Sequence, residues 1–205
     1  MSSQSSNLRG ILYMVIGMAC FTVGDLLVKL ASHQLPLGQI MMALGVGCSI
    51  LYLVMLRQAG QKVVVRHFFL KSVLVRNAGE IIAACSMFIA LSFSSFSTVT
   101  AIIQTLPLLL TLAAVLFLGE QVGIHRIAAL MIGFIGVLIV IRPGMSGFDQ
   151  YSLVALLAVV GMAMRDIGAR LTDSSVSSLA LSLFSAITLS VTGAIMWLVT
   201  GGGEI

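Results

Sequence analysis

TVTAIIQTLPLLLTLAAVLFLGEQVGIHRIAALMIGFIGVLIVIRPG, residues 98–144, is the stretch whose reading decides the fold. Two apolar runs flank a short polar link, Gly119 to Arg126, and the second run stops at Arg142-Pro143-Gly144. Each run is long enough to cross a hydrocarbon core of about 30 Å at about 1.5 Å of rise per helical residue. The pair reads as a helical hairpin in a bilayer, and the other apolar segments must pack beside it.

Composition agrees. Hydrophobic residues make up 59% of the 205-residue chain and charged residues 9%, with mean hydropathy +1.13. A soluble domain carries about 25% charge, so the chain is expected to be an integral membrane protein with lipid as its main partner. No polar stretch is long enough to build a soluble domain. The net charge of +4 is spread between apolar runs and forms no solvated patch, which argues for membrane orientation and against nucleic acid. Cys20, Cys48 and Cys85 all lie inside apolar runs with no C-x-x-C spacing and read as small packing residues. The run from Ile11 to Leu30 is too long for a cleaved signal peptide and reads as a retained first span.

Seven spans are expected, at 10–31, 36–56, 72–92, 97–118, 125–142, 151–171 and 178–199. All must be helical, because lipid offers no partner to backbone polar groups. The fold class is therefore an all-α membrane bundle. Short links such as Ser32–Leu35 and Ser92–Phe96 make sequential helices antiparallel neighbours. On the side of the N-terminus, called side A here, lie Arg9, Arg57, Lys62, Arg66, Lys71, Arg76, Arg126, Arg165 and Arg170. Only Lys29 and Arg142 fall near the opposite side B. That asymmetry places side A in the cytoplasm.

An internal repeat is also visible. At an offset of 141 residues Asp25 falls on Asp166, Lys29 on Arg170 and Leu30 on Leu171, giving a shared D-x-x-x-[KR]-L string at the same depth of two spans. The copies lie on the first and sixth spans, an odd offset of five, so they insert upside down relative to each other, the arrangement of secondary transporters with a site between the repeats. The second copy shows two spans and runs into Gly201-Gly202-Gly203-Glu204-Ile205, which reads as an interhelix loop.

Ionisable groups inside spans are costly and are candidates for function. Asp25 with Lys29, and Asp166 with Arg170, are spaced i, i+4 and can pair along their helices, one pair near each end of a pathway. The alternative is two interfacial ion pairs with the basic groups snorkelling to the headgroups. Arg76 and Glu80 have the same spacing at the start of the third span. They read either as a structural pair or as a substrate or proton site. Gln104 and Pro107 stand near the middle of the fourth span, where proline frees a carbonyl one turn back. Thr98, Thr100 and Thr105 add hydroxyls there. Glu120 is expected to pair with Arg126, and Gly17, Gly45, Gly47, Gly133 and Gly136 to permit close helix approach. His33, His67 and His125 lie at span ends, and no H-E-x-x-H or metal-ligand spacing occurs; no metal, cofactor or catalytic set is implied.

Within residues 98–144, the order Thr100 to Pro107, Leu118-Gly119-Glu120, His125-Arg126, Gly133 to Val137 and Arg142-Pro143-Gly144 resembles the drug/metabolite transporter superfamily, and within it the EamA-type permeases. Met164-Arg165-Asp166-Ile167-Gly168-Ala169-Arg170 is similar to the start of the second EamA repeat. The resemblance implies two inverted five-helix halves, here residues 8–144 as the first repeat and 150–205 as part of the second. It also implies a bacterial inner-membrane location and transport of a small metabolite. Pro36, Leu37, Gly38 and Gln39 fit the second-helix pattern, whereas Leu44 stands where similar permeases often carry Arg.

The function expected is uptake or export of a small polar organic metabolite by alternating access, coupled to protons or to a counter-substrate. Two other classes remain open from sequence. One is a truncated EamA fragment that does not transport or needs a second copy of the chain to do so. The other is an integral-membrane enzyme.

Overall fold

Helix ends in this protein are set by local chemistry. After α1 (Ser2–Ala31), Pro36 opens α2 (Leu37–Gln58). At the far end of α2, Gly60 adopts φ +65°, and the Gln61 N–H donates to the Leu56 carbonyl. This is a Schellman stop, which only glycine accommodates without strain. A short 3-10 segment, Val65–Phe69, leads into α3 (Lys71–Phe93). Ser95 then accepts from the Thr98 N–H and starts α4 (Phe96–Ile103), which is followed by α5 (Leu106–Leu118) and α6 (Ile124–Ile141). Helix α7 (Tyr151–Arg170) ends in a link where the Asp173 carboxylate accepts the Ser175 N–H at 2.7 Å. Ser177 accepts from Ala180 N–H and caps α8 (Ser178–Val199). The computed structural model describes residues 2–61, 63–118, 123–141 and 150–200.

All regular structure among the described residues is helical. Six helical stretches are long and apolar enough to cross a membrane, with α4 and α5 counted together as Phe96–Val115. A shorter apolar stretch, Ile127–Gly136, lies within α6. The expected first span, 10–31, coincides with the apolar stretch Gly10–Ala31 of a helix that begins at Ser2. One expectation needs correction. The fourth span is not continuous: it breaks at Gln104-Thr105, because Pro107 has no N–H to return to the turn before it.

Two helix pairs form the core of the bundle. In the first, α3 lies antiparallel to α7. A Cβ on Gly79 would sit 2.5 Å from the Arg165 backbone N, one on Gly161 2.4 Å from Ala83 N, and one on Gly168 2.8 Å from Arg76 N. In the second, α2 lies antiparallel to α8: a Cβ on Gly38 would sit 2.5 Å from Trp197 N, one on Gly193 2.4 Å from Met42 N and one on Gly45 2.4 Å from Ser190 N. Backbone meets backbone along both seams, so dispersion contacts are maximised where lipid removes the hydrophobic drive for association. Gly45 and Gly133 therefore pack as expected, Gly133 against Leu108, whereas Gly17, Gly47 and Gly136 face open space.

Around these seams an apolar core joins Val28 of α1, Met41 of α2, Phe88 and Leu91 of α3, Ile102 of α4 and Val159 of α7. A smaller cluster at side A joins Val73 to Val176, Leu181 and Phe184. Phe68, from the α2–α3 connection, closes it edge-to-face on Phe184 at 5.4 Å. At side B, Phe93 stacks on Tyr151 at 5.0 Å and ties the end of α3 to the start of α7. Large apolar side chains such as Tyr13, Phe21, Ile132 and Val199 point outward, as a lipid-facing surface requires.

Two outcomes follow from these seams and links. Gly79→Val and Gly161→Val should each lower the melting temperature of the detergent-solubilised protein by the equivalent of about 1–3 kcal/mol of overpacking, while Gly47→Val, with nothing within 4 Å, leaves it unchanged. The Ser175 N–H and hydroxyl hold the Asp173 carboxyl below the ordinary value of 3.8. A folded-state pKa below the unfolded one stabilises above the unfolded value and fades as pH falls through the folded one. Asp173→Ala should therefore melt earlier than the parent at neutral pH, and the two melting curves should converge on acidification.

Candidate functional site

The α3–α7 register brings four charged side chains together at side A. Arg165 of α7 sits between two carboxylates: its Nε donates to Asp166 Oδ1 at 3.0 Å, and its NH1 lies 3.8 Å from Glu80 Oε2 of α3. Arg76 turns instead toward α8, where its NH1 donates to the Leu181 carbonyl at 3.1 Å and to the Ser185 hydroxyl. Tyr52 of α2, Glu80, Arg165 and Asp166 all lie within electrostatic range of Arg76. Next to Arg76, Asn77 is buried, and neither its Oδ1 nor its Nδ2 has a partner among the described residues. All these groups are half-buried or buried, and four helices supply them.

This arrangement corrects the i, i+4 pairs expected from sequence. Glu80 pairs across the seam with Arg165 and not with Arg76. Asp166 takes its neighbour Arg165, and Arg170 is exposed with no ion pair among the described residues. For Glu80 the physical reason is register: Gly79 and Gly168 bring α7 close enough that Arg165 across the seam outcompetes Arg76 one turn away. Sequence reasoning missed Arg165, Asn77 and Ser185. The R-D dipeptide at 165–166 and the amide beside Arg76 were visible, but which helix each faces was not.

At side B the expected Asp25–Lys29 pair does not form either. Lys29 Nζ donates to three carbonyls at the end of α3: Leu91, Ser92 at 3.3 Å and Ser94 at 2.9 Å. Here an ammonium caps the negative end of a helix dipole, and it fastens α1 to α3. Asp25 is half-buried and has no ion pair among the described residues. Just outside this clamp, Ser32, His33 and Pro36 face Ser92 and Phe93 across a recess of about 230 Å³.

Gln104 and Pro107 do not join either cluster; both are exposed at the α4–α5 break. The nearby hydroxyls serve their own helix: Thr100 donates to the Phe96 carbonyl, Thr105 to Ile102 at 2.6 Å and Thr111 to Pro107 at 2.8 Å. The expected Glu120–Arg126 pair lies outside the described residues. No group of three or more His, Cys, Asp or Glu that would hold a metal occurs among the described residues.

Residues 8–142 match the EamA-like transporter family. The chain belongs to that family. Among its relatives, the pseudopaline exporter CntI of Pseudomonas aeruginosa is 29% identical over 168 residues, 78% of this chain and 58% of the relative. The S-adenosylmethionine uptake transporter of Rickettsia bellii is 31% identical over 101 residues, 49% of this chain and 35% of the relative. The riboflavin transporter of Brucella anthropi is 31% identical over 103 residues, 50% of this chain and 36% of the relative. The chain thus spans less than two thirds of the length of each. No solved structure matches it. The protein is a multi-pass membrane protein of a transporter family, and the names of its relatives are those of small-molecule carriers.

Lys29→Met tests the side B clamp. It should cost about 1–3 kcal/mol of contact between α1 and α3. In a variant with Cys20, Cys48 and Cys85 replaced by alanine, Ser92→Cys should then react several-fold faster with a membrane-impermeant maleimide once Lys29 is removed. An unchanged rate would mean that Lys29 does not hold this end shut.

Proposed function

We propose that this EamA-family chain carries a small polar organic metabolite across the bacterial inner membrane by alternating access, with its N-terminus in the cytoplasm. The observation that carries the reading is the placement of two polar fastenings at opposite ends of α3. Lys29 holds the side B end, and Arg165 with Glu80 and Asp166 holds the side A end. Alternating access needs one closure on each side that can open separately. The packing of α7 on α3 and of α8 on α2 supports a first repeat over 8–144 and a partial second repeat over 150–205, with the polar groups between them. The excess of basic residues on side A supports the cytoplasmic assignment. Protons or a counter-substrate drive the cycle, Glu80 and Asp166 being the carboxylates placed to respond. The relatives, named for uptake and for export, leave both directions open to this chain.

A second reading is that the chain works only with further helices beside it, from a longer polypeptide or a second copy. Gly10, Gly17 and Gly24 recur every seven residues on one stripe of α1 and face open space. Single-molecule photobleaching in nanodiscs distinguishes one copy from two.

The direct test is metabolite profiling of cells with and without the protein, followed by counterflow of the top candidates in proteoliposomes. Counterflow of at least one candidate is expected. Glu80→Gln and Arg165→Ala should each slow it about tenfold, the effect of about 1.4 kcal/mol. Absence of counterflow for every accumulated or depleted metabolite would overturn the reading.

A further inference from the structure

Arg76 and Asn77 of α3 are consecutive, and Glu80 lies one turn on from both, at i+4 and i+3, so that it joins them in one patch. Its hydrogen-bonding capacity is largely unspent. Asn77 is 5% exposed, yet both polar atoms of its amide lack a partner among the described residues. Arg76 Nε is also buried without one, while its NH1 is held only by neutral groups, the Leu181 carbonyl and the Ser185 hydroxyl. Glu80 is held at 3.8 Å, beyond hydrogen-bond distance, by Arg165. A bundle that needed only packing here would place an apolar side chain at position 77, since orphaned amide atoms destabilise the fold.

We propose that Arg76, Asn77 and Glu80 bind the zwitterionic α-amino-acid group of the transported molecule. The inference rests on the transport reading and names its substrate class. Two donors, Arg76 Nε–H and Asn77 Nδ2–H, meet the carboxylate. Two acceptors, Asn77 Oδ1 and the Glu80 carboxylate, meet the ammonium. A simple anion is disfavoured by Glu80 and a simple cation by Arg76, while an uncharged molecule leaves Arg76 held only by neutral groups. A carboxylate also competes well for Arg76 against the neutral oxygens of α8, because charge-assisted hydrogen bonds are the stronger ones. Binding thereby releases α3 from Leu181 and Ser185 and couples the ligand to the α3–α8 contact.

Thermal shift and radioligand binding on the full chain in nanodiscs test this. The probes are the common L-amino acids and S-adenosyl-L-methionine, each beside its decarboxylated and its deaminated analogue, with riboflavin as the uncharged comparison. At least one zwitterion should stabilise the protein in a saturable way, and removal of either charged group should weaken its binding about tenfold or more. Asn77→Leu should melt at or above the parent temperature without ligand, having lost the orphaned amide, and bind the same zwitterion about tenfold or more weakly. Arg76→Lys, which keeps the charge but removes Nε–H, should weaken it in the same direction. The site assignment falls if no zwitterion binds, if the analogues bind equally well, or if Asn77→Leu binds like the parent. Counterflow of riboflavin without zwitterion binding would remove the site and leave transport standing. Zwitterion binding without counterflow would keep the site and remove transport.

Discussion

The closeness of α3 and α7 is the constraint on which the rest of the structure depends. In lipid, apolar surface alone gives helices no reason to associate, so contact must come from packing and polar bonds. Gly79, Gly161 and Gly168 allow the two backbones to touch. Once they touch, the register is fixed, because each glycine admits only the backbone of the residue opposite. That register brings Arg165 to Glu80 and sets Arg76 free to reach α8. The α2–α8 seam repeats the device with Gly38, Gly45 and Gly193.

The basic side chains Lys29, Arg76 and Arg165 hold helices to one another, whereas the Ser and Thr hydroxyls mostly bond carbonyls of their own helix. Lys29 illustrates the physics. A carboxylate one turn away was available, yet the ammonium lies on the last carbonyls of α3. Those carbonyls have no intrahelical donor and would otherwise meet lipid or the interface unsatisfied. One cation thus completes three acceptors and joins two helices. Arg165 acts similarly at the other end with two carboxylates. Helix α3 is therefore fastened to α1 at side B and to α7 at side A.

The family assignment and the site stand on different footings. The EamA match runs through residues 8–142 and so takes in the hairpin that begins at residue 98 up to Arg142. That hairpin is the recognisable part, but the exposed Gln104 and Pro107 leave it outside both polar clusters. The charged residues that converge lie on α3 and α7, α8 supplies the hydroxyl and carbonyl that hold Arg76, and Lys29 of α1 makes a separate fastening at side B.

The sequence by itself determined the membrane class, the helical character, the order and approximate ends of the spans, and the family. Hydropathy and proline and glycine punctuation are local properties, and lipid permits no alternative to the helix. It also exposed the ionisable groups, since charge in an apolar run is conspicuous. Only the tertiary structure decided who pairs with whom. Asp25 with Lys29, Arg76 with Glu80 and Asp166 with Arg170 are all correct as i, i+4 neighbours, and none of them forms. Pair choice depends on the rotation and register of facing helices. Those are set by the sum of many small contacts along glycine seams, which no spacing within a single helix encodes.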